Sequence, residues 1–184
     1  MIALWIILAV LVLLVIWGVS TYNRLVGARN TVQEAFSTMD VYLKKRHDLI
    51  PNLVETVKGY AAHESKTLEA VVAARNAAVS AASPEEKIKD ENVLSGALRQ
   101  IFALSESYPD LKANTNFQTL MGLLDNTEKD IANARKYYNG AVKQYNNGCQ
   151  MFPSAVIAGM TGFRGAAMYE VDSDAERQNV EVKF

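Results

Sequence analysis

The sequence predicts an all-α protein in which an N-terminal transmembrane helix is continuous with an antiparallel bundle of about four long helices. The opening segment, residues 1–21, is almost wholly apolar. In most of the remaining chain, apolar side chains recur at alternating steps of three and four, which is the period of an α-helix packed along one face. No stretch alternates apolar and polar residues as a half-buried β-strand does.

The opening segment has the length and composition of a membrane span. It carries no charged side chain, and about 20 apolar residues in a helix cross a hydrocarbon core of about 30 Å. Trp5, Trp17 and Tyr22 lie toward its two ends, where amphipathic rings favour the membrane interface. A cleaved signal peptide requires a basic region before the apolar run and a small-residue cleavage site. We therefore expect a retained, single-pass anchor in the cell membrane.

The charges beside the anchor predict its orientation. Arg24 and Arg29 follow the apolar segment, whereas the N-terminal flank has no basic side chain. Basic residues close to a membrane helix favour the cytoplasmic side. We therefore expect the bundle to face the cytoplasm.

The first helix is expected to run from the anchor to the neighbourhood of Pro51. A proline inside a helix removes one hydrogen bond and clashes with the preceding turn. Asp48 is a plausible N-cap that would place Pro51 in the first turn of a second helix, and a kinked continuation of the first helix is the alternative. The stripe that defines the first helix is Tyr22, Leu25, Arg29, Val32, Phe36, Met39, Leu43 and Arg46.

Three further helices are predicted before residue 153. The period returns from Leu53 to Ala78. The run 83–86, Ser-Pro-Glu-Glu, is a capping box that starts the third helix. The last helix, about residues 114–150, has apolar side chains at heptad spacing. Composition divides the chain into a transmembrane helix at 1–21, a helical-bundle domain at 22–152, and an apolar segment with a polar tail at 153–184.

Composition and motifs argue against an enzyme, a cofactor or a metal site. The net charge of −1 provides no overall field for nucleic acid. His63 and Glu64 lack the second histidine of a zinc-protease motif, since Thr67 stands in its place. His47 is the only other histidine, and a catalytic zinc needs three protein ligands. The single cysteine, Cys149, is interpreted as a packed side chain rather than a nucleophile.

Charged residues on the predicted inner stripes are the most informative anomaly. A buried charge persists only when it is paired. We interpret these residues as interhelical ion pairs that fix the register of the helices, with a binding site as the alternative. Arg29 and Arg46 occupy stripe positions on the first helix, Glu64 and Arg75 lie at the edge of the stripe on the second, and Glu128 and Arg135 flank the stripe of the last.

Several motifs in order resemble those of the LemA family. They are Y-N-R-L-V after the anchor, R-H-D-L-I-P-N-L-V at 46–54, S-Y-P-D-L-K-A-N at 107–114, A-R-K-Y-Y-N at 134–139 and the later M-F-P-S. The resemblance covers essentially the whole chain, anchor included. It implies an N-terminal membrane helix and a bundle of long helices, and it brings no catalytic mechanism.

The same motifs supply candidate structural residues. Asp48, Pro51 and Asn52 are expected to shape one helix junction, and Tyr108, Pro109 and Asp110 another. Tyr138-Asn139 is one of three Tyr-Asn pairs, with Tyr22-Asn23 and Tyr145-Asn146. These pairs would lie side by side if the first and last helices pack together.

The leading functional hypothesis is a non-enzymatic, membrane-anchored helical scaffold that self-associates. The resemblance extends to a magnetosome-membrane protein, which by analogy implies a part in organising or shaping membrane. The expected partners are membrane lipid and further copies of the chain, without nucleic acid. The alternative is an adaptor that binds another membrane protein, such as a protease or an envelope sensor.

Overall fold

The structure, a computed structural model, describes residues 1–61 and 63–170. These residues form helices and no strand, so the predicted all-α class is confirmed. The predicted polar tail, residues 172–184, lies outside the described residues. The helices are α1 (Ile2–Lys58), α2 (Ser65–Ser80), α3 (Pro84–Ser105), α4 (Pro109–Ala113), α5 (Thr115–Gln150) and α6 (Ser154–Thr161).

The chain divides into two compact units. The first, called the anchor unit below, comprises Met1–Met39 and Asn133–Met168. The second, called the bundle unit, comprises Asp40–Ala132 with Tyr169 and Glu170. Both α1 and α5 are divided between the units: one part of each helix belongs to the anchor unit and the other part to the bundle unit. The division predicted from composition, at residues 21 and 152, remains a prediction.

Helix α1 is unbroken from the apolar segment to Lys58. This confirms that the helix continues beyond the anchor. Of the two readings of Pro51, the new helix start with its junction at Asp48, Pro51 and Asn52 is wrong, and the first helix continues through the proline as in the alternative. Pro51 lies inside α1, and Asp48 is an exposed residue of the same helix rather than an N-cap. The second helix correspondingly begins at Ser65, because residues 53–58 still belong to α1.

A tertiary contact compensates for the proline. Pro51 has no N–H to donate to the carbonyl of His47, four residues earlier. The Nε of Arg75, on α2, donates to that carbonyl at 3.2 Å. The polar group that the proline leaves without its helical partner is thus satisfied by a neighbouring helix.

We expect Arg75→Met to lower the free energy of unfolding by about 1–3 kcal/mol, because it leaves the His47 carbonyl without its donor. The loss should be smaller when Pro51 is also replaced by alanine, whose N–H can bond to that carbonyl. Chemical denaturation of the four proteins of this double-mutant cycle, in detergent, measures the coupling. Equal losses in the two backgrounds would contradict the compensation.

The bundle unit is built around one apolar core to which α1, α2, α3, α4 and α5 all contribute. The helix start predicted at 83–86 is confirmed, because Ser83 Oγ accepts from the Glu86 N–H at 3.1 Å. The Glu86 carboxylate differs from the capping-box pattern: its Oε2 accepts from the N–H of Ala82, one residue before the cap, at 3.1 Å. Asn114 Oδ1 caps α5 by accepting from the Phe117 N–H at 2.9 Å. The core residues are Ile50, Leu53, Val57, Ala61, Leu68, Val71, Ala74, Ala78, Leu94, Leu98, Ile101, Leu111, Phe117 and Leu124.

The anchor unit combines the first part of α1 with the last part of α5, with α6 and with the segment that follows α6. The apolar side chains from Ile2 to Val19 are exposed. This stretch is long and apolar enough to cross a membrane, which supports membrane anchoring. The ring of Phe163, just after α6, lies 5.6 Å from the ring of Tyr22 and 6.5 Å from that of Tyr145.

Candidate functional site

The described charged residues converge most closely in the bundle unit, at what we call the buried ion-pair cluster: Arg46, His47, Glu91, Ser95 and Glu128. Arg46 and His47 lie on α1, Glu91 and Ser95 on α3, and Glu128 on α5. The side chains of Arg46 and Glu91 are both 0% exposed. A buried ionised pair at the centre of an apolar bundle needs complete compensation, so its contacts decide what it can do.

The Arg46 guanidinium is bonded to two helices. Its Nη1 donates to Glu128 Oε1 at 2.7 Å and to Ser95 Oγ at 2.8 Å, and its Nη2 is paired with the Glu91 carboxylate. Glu91 also bonds through Oε1 to His47 Nε2 at 2.7 Å. Arg46 therefore ties α1 to α3 and α5, and its planar group sets the rotation of each helix about its axis.

The sequence directs these groups inward. Arg46 continues the stripe of Leu43 and Ile50, which are buried. Glu91 lies three residues after Ile88 and three before Leu94, and both of these are buried in α3. An i, i+3 spacing keeps side chains on one helix face, so each charge is carried into the core by its apolar neighbours.

The charges stabilise one another against the cost of burial. Burial by itself disfavours the Arg46 cation, but the carboxylates of Glu128 and Glu91 outweigh this effect and raise the pKa of Arg46. Burial likewise opposes the charge of Glu91, yet the hydrogen bond from His47 and the Arg46 charge lower the pKa of that carboxyl below its ordinary value. Both groups are therefore held in their charged forms.

The lowered pKa of Glu91 predicts sensitivity to acid. A carboxyl whose pKa is lower in the folded than in the unfolded state contributes stability above the unfolded value, about 4.3 for glutamate, and loses it as the pH falls through the folded value. We expect the free energy of unfolding to decrease between about pH 5 and pH 3. In Glu91→Gln the decrease over this range should be smaller. Parallel pH profiles of the two proteins would contradict the assignment.

The cluster has the properties of a packing device. Its carboxylates are bonded to Arg46 and His47. Of the side chains in these ion pairs, only that of Glu128 is substantially exposed to solvent, at 36%. Among residues 1–61 and 63–170, no group of three histidine, cysteine or acidic side chains is placed to hold a metal ion. Chemically, the arrangement can fix the register of three helices.

The cluster contains two of the predicted site residues and adds others that sequence reasoning missed. Arg46 and Glu128 are brought together, as an interhelical pair. Glu91, Ser95 and the role of His47 were not predicted. The position of Glu91 on the apolar stripe of α3 was the available signal, since a charge there requires a partner.

Two other predicted residues meet at a corner of the bundle unit. Glu64 lies at the N-cap position of α2, and its Oε1 accepts from the Tyr108 hydroxyl at 3.2 Å. Burial and the Glu64 carboxylate raise the pKa of Tyr108. Pro109 and Asp110 are exposed in the first turn of α4. The contact joins the start of α2 to the segment between α3 and α4.

Four other predicted residues lie in the anchor unit. Arg29 is exposed on α1, with its guanidinium carbon 5.4 Å from the centre of the Phe163 ring. Tyr138 is buried, and its hydroxyl donates to the Ala167 carbonyl at 2.9 Å. Arg135 and Asn139 are half-buried on α5. These residues are distributed along the helices and do not converge on one pocket.

The anchor unit also contains a groove of about 580 Å³ between α1 and α5. Trp17, Thr21 and Arg24 line it from α1, and the turn after α5, from Met151 to Ser154, lines one end. At Gly148, a Cβ would lie 3.0 Å from Leu25 Cδ2, so the absence of a side chain allows α5 to approach α1 closely. The groove is open and contains a single charged lining residue, Arg24.

Two magnetosome proteins are similar to this chain over most of its length. The magnetosome protein MamQ 2 of Paramagnetospirillum magneticum is 25% identical over 176 residues, covering 81% of this chain and 64% of the relative. MamQ of Magnetospirillum gryphiswaldense is 24% identical over 170 residues, covering 78% of this chain and 62% of the relative. The chain thus spans somewhat less than two thirds of the length of these magnetosome proteins.

A third relative and a family profile identify the group. The protein LemA of Metamycoplasma hominis is 26% identical over 163 residues, covering 86% of this chain and 73% of the relative. The profile of the LemA family matches residues 35–184, which include every member of the buried ion-pair cluster. With its long apolar N-terminal helix and all-α fold, the chain belongs to the LemA family.

Proposed function

We propose that this protein is a non-enzymatic, membrane-anchored scaffold that self-associates. The observation that carries the proposal is the continuity of α1, which leads from the exposed apolar segment into the bundle core without a break. One helix thus carries both the candidate membrane span and side chains of the bundle core, as expected of a protein that works at a membrane.

The buried ion-pair cluster supports the same proposal. It fixes the register of helices and leaves its acidic groups bonded to protein partners, which suits a structural rather than a catalytic role. The relatives named as magnetosome proteins support a part in organising or shaping membrane. We place the bundle on the cytoplasmic side, on the basis of Arg24 and Arg29 beside the span.

Photo-crosslinking in native membranes tests self-association. A photoreactive amino acid is introduced at Val93 or Tyr137, which are exposed on α3 and α5 respectively. We expect self-crosslinked species as the main products of illumination. Uncrosslinked chains alone at both sites would overturn the proposal.

A matched control separates self-association from crowding. The same photoreactive residue is placed in a chain with Leu11→Arg and Leu14→Arg, which disable the anchor, and the products are compared at equal protein concentration. A membrane-dependent scaffold should lose its self-crosslinks in this control. Protease access to the bundle in intact spheroplasts tests its sidedness, and digestion from outside would contradict the cytoplasmic placement.

The groove in the anchor unit favours a second candidate, an adaptor for another membrane protein. Its position beside Trp17, Thr21 and Arg24 would allow a helix of a partner protein to dock close to the membrane surface. The same crosslinking distinguishes the two candidates. One dominant foreign partner, with few self-crosslinks, would replace the scaffold by the adaptor.

A further inference from the structure

The turn between α5 and α6, together with the outer face of α6, exposes an unusual apolar surface, which we call the apolar corner. Its members are Met151, Phe152, Val156 and Met160. Phe152 is 84% exposed and Met160 is 80% exposed. Four large apolar side chains exposed within ten residues of the chain, in a protein with a buried core of its own, indicate a surface that contacts a partner or a membrane.

The composition around the corner indicates the chemistry of that partner. Between Lys143 and Arg164 the chain carries no charged side chain. Within this stretch α6 has the sequence S-A-V-I-A-G-M-T. At 8 residues α6 is too short to cross a membrane. Apolar side chains of an element that lies on a membrane are buried about 5–10 Å into the boundary between headgroups and acyl chains.

The position of the corner within the anchor unit favours a membrane over a partner protein as the surface that it contacts. A Cβ at Gly18 would lie 3.7 Å from Ile157 Cδ1, so α6 packs beside the last turns of the apolar segment. Met151 and Phe152 line the same groove as Trp17 and Arg24. Tryptophan and arginine at the end of a membrane span occupy the interface between hydrocarbon and water. The corner therefore lies close to the C-terminal end of the apolar segment of α1.

We propose that the apolar corner inserts into the bilayer that holds the anchor and forms a second, shallow lipid contact. This inference rests on the membrane anchoring in the proposed function and is independent of self-association. Phe152 and Met160 enter the region between headgroups and acyl chains, while the exposed side chains of Arg24 and Arg164 reach lipid phosphates. The anchor unit is thereby held at the membrane by two elements.

Depth-dependent fluorescence quenching tests the proposal on the full chain in phosphatidylcholine vesicles. Single cysteines are introduced in a Cys149→Ser background and labelled with an environment-sensitive fluorophore. The sites are Met160 in the corner, Val12 within the span and Lys136, which is exposed on α5 about 22 Å of helix away from Met151. Brominated lipids carry the quencher either near the headgroup or near the bilayer centre.

We expect the label at Met160 to be quenched several-fold more strongly than the label at Lys136, and more by the shallow than by the deep bromines. The label at Val12 should be quenched best by the deep bromines. Loss of quenching at Val12 would show that the anchoring itself has failed. Quenching at Val12 with none at Met160 would overturn the lipid contact alone.

A second copy of the chain is the competing occupant of the corner. It would shift the emission of the Met160 label to shorter wavelength without quenching by either lipid, and this result would also overturn the proposal. Thr161→Cys, next to Met160, controls for label chemistry in the same helix. Equal shallow quenching at the two sites supports insertion of the whole of α6.

Discussion

Arg46→Met is expected to lower the free energy of unfolding by about 3–5 kcal/mol, because it leaves the Glu91 carboxylate buried without its cation. Removing one member of a buried pair costs far more than the pair contributes, since the remaining charge has lost its solvation. Chemical denaturation of the full chain in detergent, followed by circular dichroism, measures the loss.

Three further variants make this expectation specific. Lys45→Met removes a neighbouring exposed cation of α1 and should change the free energy by no more than about 0.5 kcal/mol. Arg46→Lys keeps the charge but lacks the planar group that reaches Glu128 and Glu91 together, so we expect an intermediate loss. The double variant Arg46→Met, Glu91→Leu should lose less free energy of unfolding than the two single variants lose together. Additive losses would contradict a coupled pair.

Leu11→Arg together with Leu14→Arg is expected to release the chain from the membrane. Each arginine at the centre of a membrane helix opposes insertion by about 2.5–3.5 kcal/mol, so the two together oppose it by about 5–7 kcal/mol. The fraction of protein that remains in carbonate-washed membranes should fall at least about tenfold, because a tenfold shift of the insertion equilibrium requires a free-energy change of only about 1.4 kcal/mol. Immunoblotting of the pellet and supernatant measures it.

Two arginines added elsewhere control for the change in charge. Val79 and Val93 are exposed on α2 and α3, so Val79→Arg with Val93→Arg adds the same charge to the bundle unit without touching the span. This variant should stay with the membrane. Equal retention of the two double variants would show that residues 1–21 do not anchor the chain.

Much of the fold could be predicted because it depends on local periodicity. The uncharged run at 1–21, the capping box at 83–86 and the heptads of the last helix each produce an element where the sequence indicates one. Pro51 was interpreted wrongly because its consequence depends on Arg75, a residue on another helix. A helix-breaking tendency of one residue is outweighed when a neighbour supplies the missing hydrogen bond.

The candidate site was predicted only in part for a related reason. The stripe pattern identified Arg46 as a charge on the inner stripe of the first helix and Glu128 as a charge that flanks the stripe of the last, and the structure brings these two together. It missed Glu91, although that residue lies between Ile88 and Leu94 on an apolar face. The partners of a buried charge depend on how helices rotate against each other, and periodicity along a single helix does not specify this rotation.

The region after α5 shows the same limit. The part of the chain that follows residue 152 was predicted to contain an apolar segment, but composition gave that segment no partner. In the anchor unit the Phe163 ring lies near both Tyr22 and Tyr145. The tyrosines of two of the three Tyr-Asn pairs thus lie near the same aromatic ring. That ring belongs to Phe163, which the prediction about these pairs did not include.

The long sequence separation within the buried ion-pair cluster has a consequence for biosynthesis. Glu128 follows Arg46 by 82 residues, and at about 5–20 residues per second a ribosome needs about 4–16 s to deliver the second after the first. During that interval the apolar N-terminal segment is already available to the insertion machinery. Insertion of this segment into the bilayer would thus precede closure of the core, and the nascent chain would complete its folding while tethered to lipid.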